Sequence, residues 1–190
     1  MSCQYKLSCE TKNYLNRFYE ILDDMIATMM DAPLTDSISH NFIEQMIPHH
    51  QAAIEMSQSV LKYTNLAPLQ VIAAGIIATQ TNSMEDMRSV LATCREEKSS
   101  EQDLNLYQRR FDQITQTMFT NMENARITNN ISANFMREMI PHHRGAVQLS
   151  ENALHFELCP GLRPILQNIM TSQKAGIRKM ECLLRCIYTF

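Results

Sequence analysis

Two pairs of adjacent histidines are the residues of this chain best suited to chemistry. Each pair follows Met-Ile-Pro, and His142-His143 comes 93 positions after His49-His50. Four of the six histidines therefore belong to a duplicated motif, which implies two related sites or one site built across a pseudo-two-fold axis. Imidazole is a common transition-metal ligand when it is neutral. The duplication therefore predicts a metal site on these histidines.

A methionine completes each candidate ligand set. It precedes the two histidines by three and four residues, spacings that place side chains on one face of a helix. Thioether and imidazole together form a soft to borderline donor set, which favours Cu(I), Ag(I) or Cu(II) over Mg or Ca. We therefore predict a copper ion as the bound species. The predicted metal ligands are Met46, His49, His50, Met139, His142 and His143.

A structural role is the alternative for these side chains. A lone histidine on an apolar face usually satisfies a core hydrogen bond, whereas two duplicated pairs would desolvate four titratable groups together. The repeated pairs Met25/Met29 and Met118/Met122 are more typical of core filling than of ligation. His40 and His155 have no histidine counterpart in the other copy, so we expect them at the surface.

Oxidase chemistry is disfavoured because no acidic ligand is duplicated beside the histidines. A di-iron centre of the ferritin type commonly uses Glu-x-x-His, yet Met46, Ile47, Met139 and Ile140 stand three residues before the histidines. Haem attachment has no support either, because Cys-x-x-Cys-His does not occur. We expect a protein that is not an enzyme.

The repeat extends over nearly the whole chain and predicts the elements that position the motifs. Residues 14–91 align with 107–184 without a gap. With four Gly, six Pro and helical apolar periodicity, we predict an all-α protein of two tandem three-helix repeats, 1–98 and 99–190, related by pseudo-two-fold symmetry. The predicted helices are 11–31, 38–63, 67–94, 103–124, 131–157 and 162–187.

Two further features of the repeat bear on the site. Pro48 and Pro141 lie inside their helices, where each should remove a helical N–H bond and kink the helix just before the histidines. Gln80 and Gln173 are the only polar members of an apolar stripe on the third helix of each repeat. Because buried amides need partners, we predict that both glutamines hydrogen-bond imidazole nitrogens and so orient the metal-binding histidines.

Six cysteines, at 3, 9, 94, 159, 182 and 186, show no zinc-finger spacing. The N-terminus has no apolar segment typical of a secretory signal, so we expect free thiols and a cytoplasmic location. Cys182 and Cys186, spaced i,i+4, could present two thiols to a soft metal, but their counterparts are Ser89 and Thr93. We expect them to be buried helix thiols.

Composition excludes two classes of partner. No basic patch interleaved with aromatic residues occurs, which argues against nucleic acid. The longest apolar run, 71–78, is far shorter than the roughly 20 residues of a membrane span. A metal ion is therefore the expected partner, and association into a homo-oligomer stays open.

The Phe-x-x-x-Met-Ile-Pro-His-His motif resembles the bacterial family known as domain of unknown function 305. An Ala-x-x-x-Ser helix at 53–57 and 146–150 and Ile-x-x-x-Gln at 76–80 and 169–173 complete the resemblance. It implies a ferritin-like helical bundle and, by similarity to copper-binding members, a metal site on the methionines and histidines named above. The chain departs from the family where a Glu commonly follows the glutamine, since Ser83 and Gly176 stand there.

Three hypotheses follow for function. The first is a protein that binds and sequesters a soft metal ion, most consistent with copper, on the duplicated Met and His sets. The second is a structural or protein-interaction module whose histidines satisfy buried polar groups without metal. The third, a metal-dependent oxidoreductase, has no substrate pocket to support it.

Overall fold

The computed structural model describes residues 6–187, which form six helices and no strand. The prediction of an all-α protein is confirmed. The predicted helix ends agree with those of the structure within three residues. The helices are α1 (Cys9–Met30), α2 (Ile38–Leu61), α3 (Ala67–Glu96), α4 (Glu101–Glu123), α5 (Ile131–Leu154) and α6 (Leu162–Cys186).

Side-chain caps fix where four of these helices begin. The side chains of Ser8, Ser37, Ser100 and Asn130 each accept a hydrogen bond from the backbone N–H three residues later. These bonds satisfy donors that the first turn of a helix leaves without a partner. Since Ser37 and Asn130 hold equivalent positions in the repeat, α2 and α5 start in the same register relative to their histidines.

An asparagine clamp repeats before α2 and α5. The side-chain Oδ1 of Asn41 accepts from the backbone N of Thr35 at 2.7 Å, and its Nδ2 donates to the carbonyl of Thr35 at 3.0 Å. Asn134 makes the same two bonds with Thr128, at 2.9 and 2.7 Å. Both copies therefore approach the histidine-bearing helix through the same turn.

The two central helices are α2 and α5. Within each repeat the second helix packs on the first and the third, and the repeats meet where α2 contacts α5 and α3 contacts α6. This arrangement buries equivalent large side chains of both repeats, Phe18 with Phe111 and Phe42 with Phe135. Each such burial stabilises the fold by about 1.5–3 kcal/mol. The inner faces of α2 and α5, where the histidines lie, are thereby removed from solvent.

Both prolines stay within continuous helices. Pro48 lies inside α2 and Pro141 inside α5, and each helix continues for at least three turns beyond its proline. The ring is tolerated although it removes a backbone donor, because the surrounding helices over-determine the path of the chain. The predicted kink stays a prediction.

A disulfide joins the repeats. Cys94, at the end of α3, is bonded to Cys159 in the α5–α6 loop, with their Cα atoms 5.3 Å apart. The expectation of free thiols is wrong for these two residues. Both are fully buried, and the contact that brings them together depends on how the repeats pack. Spacing along the chain does not reveal that contact.

The other cysteines within residues 6–187 are free. Cys9, Cys182 and Cys186 are all exposed, so the expectation of buried thiols at Cys182 and Cys186 is wrong. At about 3.6 residues per turn, these two positions lie on the side of α6 opposite its buried residue Gln173. Cys3 lies outside the described residues.

The segment between α3 and α4, where we place the boundary between residues 98 and 99, is tied to the first repeat. The backbone N of Ser99 donates to the carbonyl of Asp36 at 2.8 Å, and Lys98 pairs with the Asp36 carboxylate at 2.6 Å.

None of the helices described here combines the length and apolar character needed to cross a membrane.

Candidate metal centre

The four predicted histidines converge where α2 crosses α5. The ring centroids of His49 and His142 lie 3.7 Å apart, with the ring planes inclined by 32°. His50 lies 5.9 Å from His49, and His143 lies 6.0 Å from His142. The sequence left open whether the motifs form two sites or one. The structure places all four rings in one group, which we call the histidine cluster.

The cluster is almost completely shielded from bulk water. The exposed fractions of His49, His50, His142 and His143 are 0%, 1%, 0% and 2%. Met46 and Met139, one turn earlier on α2 and α5, are equally buried at 1% and 0%. All six predicted ligands therefore lie in the core, on the inner faces of the two central helices.

Six ring nitrogens in the cluster have no hydrogen-bond partner within the protein. They are both nitrogens of His49, both nitrogens of His142, and Nδ1 of His50 and of His143. A buried polar atom left without a partner costs about 1–3 kcal/mol. Such atoms in a folded protein commonly indicate a bound water or ion. The cluster is therefore a buried set of ring nitrogens whose N–H groups and lone pairs have no hydrogen-bond partner in the protein.

Burial keeps these imidazoles neutral. Desolvation lowers the pKa of His50 to about 3, helped by repulsion from His142, and lowers the pKa of His142 to about 3. The pKa values of His49 and His143 are also well below the ordinary range, first through burial and then through repulsion by their neighbours. Neutral imidazole is the form that coordinates metal, so protons compete little for these nitrogens near pH 7.

A cleft between α3 and α6 reaches the cluster from outside. It has a volume of about 160 Å³, and His143 contributes to its wall. The backbone of α6 lies close to the His143 ring at Gly176, which has no side chain. A Cβ atom at that position would lie 2.8 Å from Cδ2 and 2.9 Å from Nε2 of His143. We call this opening the Gly176 cleft. Any larger residue would push against the imidazole.

Gln80 and Gln173 both line the Gly176 cleft and are each 2% exposed. Their inward orientation follows from the apolar stripe on which they stand. The predicted hydrogen bond to imidazole is not formed at Gln80, because both polar atoms of its side chain have no partner, and Oε1 of Gln173 has none either. The amides therefore add three unpartnered atoms to the same region.

A comparison with protein-family models identifies the family of this chain. The family described as domain of unknown function (DUF305) matches residues 39–184. This chain belongs to the DUF305 family. The match covers both Met-Ile-Pro-His-His motifs and the α3 and α6 glutamines, so the resemblance seen in the sequence is confirmed. No curated protein matches the chain.

Solved structures with the same fold include a copper protein. CopM in the Cu(I)-bound form is 27% identical, with a TM-score of 0.59 over 79% of this chain and 97% of CopM. CopM in the Ag-bound form, obtained by soaking, is 24% identical, with a TM-score of 0.60 over 81% and 99% of the two chains. A DUF305 fragment from Deinococcus radiodurans is 22% identical, with a TM-score of 0.57 over 80% and 98%. The last two show the fold alone.

The donor set of this DUF305 chain fits a soft ion better than a hard one. Across residues 6–187, no group of three or more His, Cys, Asp or Glu side chains is positioned to hold a metal ion. A closed zinc site of four such ligands is therefore not formed. Nor do the rings of the histidine cluster form such a group of three around one ion in this geometry. Coordination would require the rings to turn, with thioether sulfur as the additional donor.

His40 is buried, contrary to the expectation of a surface position. It is 5% exposed, and its Nε2 lies 3.6 Å from Oε1 of Glu44. The α5–α6 loop covers this end of α2, where the backbone N of Cys159 donates to the hydroxyl of Ser39 at 2.9 Å. His155 is exposed, as expected, and its Nδ1 lies 2.6 Å from the carbonyl of Glu151.

Gly176 is the site feature that sequence reasoning missed. In the sequence, Gly176 stands out only as the position where the family commonly has a Glu. A glycine inside a helix costs about 1 kcal/mol relative to alanine, so its presence within α6 is itself a signal of close packing. The counterpart, Ser83, keeps a side chain, whose hydroxyl is buried without a partner. The two halves of the site therefore differ at this position.

Proposed function

We propose that this protein binds and sequesters a soft metal ion, copper in the first instance, on the histidine cluster with Met46 and Met139 as further donors. The observation that carries the proposal is the group of six unpartnered ring nitrogens in a sealed core. Evolution of a stable fold tends to remove such atoms unless something satisfies them. A metal ion would satisfy several at once.

The chemistry of the donors supports a monovalent soft ion. Thioether sulfur and neutral imidazole suit Cu(I) and Ag(I), which bind in linear or trigonal arrangements that two or three donors complete. The forms of CopM bound to Cu(I), Cu(II) and Ag support the same class of ion by similarity.

The dimensions of the cleft favour an ion over an organic substrate. Pockets for small molecules usually have volumes of about 300–1,000 Å³. The Gly176 cleft, at about 160 Å³, is smaller. This difference supports binding and sequestration over catalysis.

The proposal is tested by Cu(I) competition titration against a chromophoric chelator. The variants His49→Ala/His50→Ala and His142→Ala/His143→Ala should each lose at least tenfold in affinity. His155→Ala is the matched control, because His155 is exposed and lies outside the cluster, and it should bind as tightly as the native chain. Equal affinity in all four proteins would refute the site.

The second candidate is a structural module in which buried water satisfies the histidines. The close stacking of His49 on His142 favours it, because stacked rings contribute packing energy without metal. The metal content of untagged protein, purified from cells grown with copper, separates the two. Protein that is metal-free and stays so after incubation with Cu(I) would support the structural module.

A further inference from the structure

The end of α6 carries two thiols that the histidine cluster does not use. Cys182 and Cys186 are free, exposed and spaced i,i+4, so their side chains lie one above the other on the solvent face of the helix. Neither residue is part of the duplication, since Ser89 and Thr93 hold the equivalent positions on α3. The pair is therefore an addition to the second repeat alone.

Helix geometry separates the uses that such a pair could have. Residues at i,i+4 have Cβ atoms about 5–6 Å apart. A disulfide requires about 3.5–4.5 Å between Cβ atoms, so the two thiols cannot join without distorting α6. Two metal–sulfur bonds of about 2.3 Å each span a wider gap between the sulfurs. The spacing suits a bridging metal ion and resists an intrahelical disulfide.

The thiol pair continues one wall of the Gly176 cleft. At 100° per residue, Ala175, Lys179, Cys182 and Cys186 fall in one narrow stripe along α6. Ala175 and Lys179 line the cleft, together with His143. Cys182 lies six residues beyond Gly176, about 9 Å along the helix axis. Cys182 is also turned about 120° around the helix axis from Gly176, so an ion held by the thiols would lie on the outer side of α6, beside the Lys179 edge of the opening.

The surrounding charges suit an anionic complex. A monovalent ion bound by two thiolates carries one net negative charge. Arg178 and Lys179 lie within one turn before Cys182. The nearby acid, Glu181, already pairs with Arg144 at 2.7 Å. Positive charge therefore predominates around the sulfurs.

We propose that Cys182 and Cys186 form a second, surface site for Cu(I) or Ag(I), from which the ion passes along the Gly176 cleft to His143. On binding, each thiol loses one proton to solvent, two metal–sulfur bonds form, and the oxidation state of the metal does not change. The transfer step rests on the proposed function of the histidine cluster. The thiol site itself does not.

The thiol site is tested with silver nitrate on the full chain. One equivalent of Ag(I) should protect two thiols from a disulfide-exchange reagent and release about two protons. In Cys182→Ser/Cys186→Ser this protection should disappear, whereas the matched variant Cys9→Ser, which removes an exposed thiol on α1, should keep it. Equal protection in the thiol-pair variant, or oxidation of the native chain to disulfide-linked dimers in place of Ag(I) binding, would overturn the proposal.

Transfer is tested by the rate at which the histidine cluster is loaded. With Ag(I) supplied on a weak chelator, the thiol-pair variant should load the cluster at least fivefold more slowly than the native chain, at the same final affinity. An unchanged rate would overturn the transfer step.

A chain with all four cluster histidines replaced by Ala separates this proposal from the function of the cluster. It should still bind one Ag(I) at the thiols. Thiol binding without cluster binding in the native chain would refute the function alone, and the reverse would refute the thiol site.

Discussion

The hydroxyl of Tyr14 donates a 2.6 Å hydrogen bond to Oε2 of Glu138, joining α1 of the first repeat to α5 of the second. The equivalent pair, 93 positions away in sequence for each member, is Tyr107 with Gln45, whose Oε1 accepts at 3.4 Å. The buried tyrosine hydroxyl is thus satisfied by a carboxyl in one pair and by an amide in the other. Both tyrosines are buried, and the carboxyl is the member that titrates.

Replacing Glu138 with Gln should stabilise the protein at neutral to alkaline pH. Burial raises the pKa of Glu138 to about 7, although Tyr14 and Arg137 lower it. The native state therefore holds a proton that the unfolded chain releases above about pH 4.5, so stability from this group is present at low pH and is lost as pH rises through about 7. Above pH 7 the variant should gain about 3 kcal/mol.

Denaturant unfolding at pH 5 and pH 8 checks this expectation. The gain in Glu138→Gln should be large at pH 8 and small at pH 5. The matched variant is Gln45→Glu, which places a carboxyl beside Tyr107 and should lower stability at pH 8. A Glu138→Gln chain with the same stability as the native protein at pH 8 would contradict the argument.

The histidine cluster should make the metal-free protein sensitive to acid. Burial lowers the pKa values of all four histidines, so the unfolded chain binds protons more readily below about pH 6.5. Stability from these groups is present above that pH and is lost as pH falls. His50 and His142, whose pKa values are lowered to about 3, should each contribute a loss of about 2 kcal/mol between pH 6.5 and 5.

The measurement is best made in Glu138→Gln, since the carboxyl has the opposite pH dependence. Stability of the metal-free variant should fall steeply from pH 7 to 5. Added Cu(I) should raise the melting temperature at pH 7. A metal-free variant whose stability is flat over this range would show that the imidazoles are not desolvated.

His49 and His142 should be energetically coupled in metal binding. Their rings are in contact across the repeats, and groups in contact typically show coupling energies of 0.5–3 kcal/mol. A double-mutant cycle measures this coupling. It compares the Cu(I) affinities of the native chain, His49→Ala, His142→Ala and the double variant. We expect the double variant to lose less than the sum of the single losses. Additive losses would indicate two independent sites, one on each repeat.

Helix positions and inward faces were predictable from the sequence because they depend on local periodicity. Phe42 and His49 fall on one face of a helix wherever that helix is placed. The contact between His49 and His142 was not predictable from the sequence, because it depends on how α2 packs on α5. The burial of His40 and the bond between Cys94 and Cys159 depend on the same contact between repeats. The periodicity within one repeat does not predict that contact.

Replacing Gln80 with Leu should stabilise the metal-free protein while weakening metal binding. Its two unpartnered amide atoms each carry a desolvation cost, so an apolar side chain of similar volume should gain about 1–3 kcal/mol. If the amide orients a histidine once metal is bound, affinity should fall about 10–100-fold. Denaturant unfolding and Cu(I) competition measure the two effects, and Gln173→Leu is the matched variant. Lower stability with unchanged affinity would assign the amide a purely structural role.

Removing the bond between Cys94 and Cys159 should destabilise the protein. The cysteines are 65 residues apart in sequence, and closing a loop of that length restricts the unfolded chain by about 4 kcal/mol. Cys94→Ala/Cys159→Ala should therefore unfold at lower denaturant concentration, whereas Cys182→Ser/Cys186→Ser, as control, should not. Native protein treated with a reductant should match the first variant. Trapping of thiols in intact cells, followed by mass spectrometry, also tests the expected cytoplasmic location, because a bond already formed there would favour an oxidising compartment.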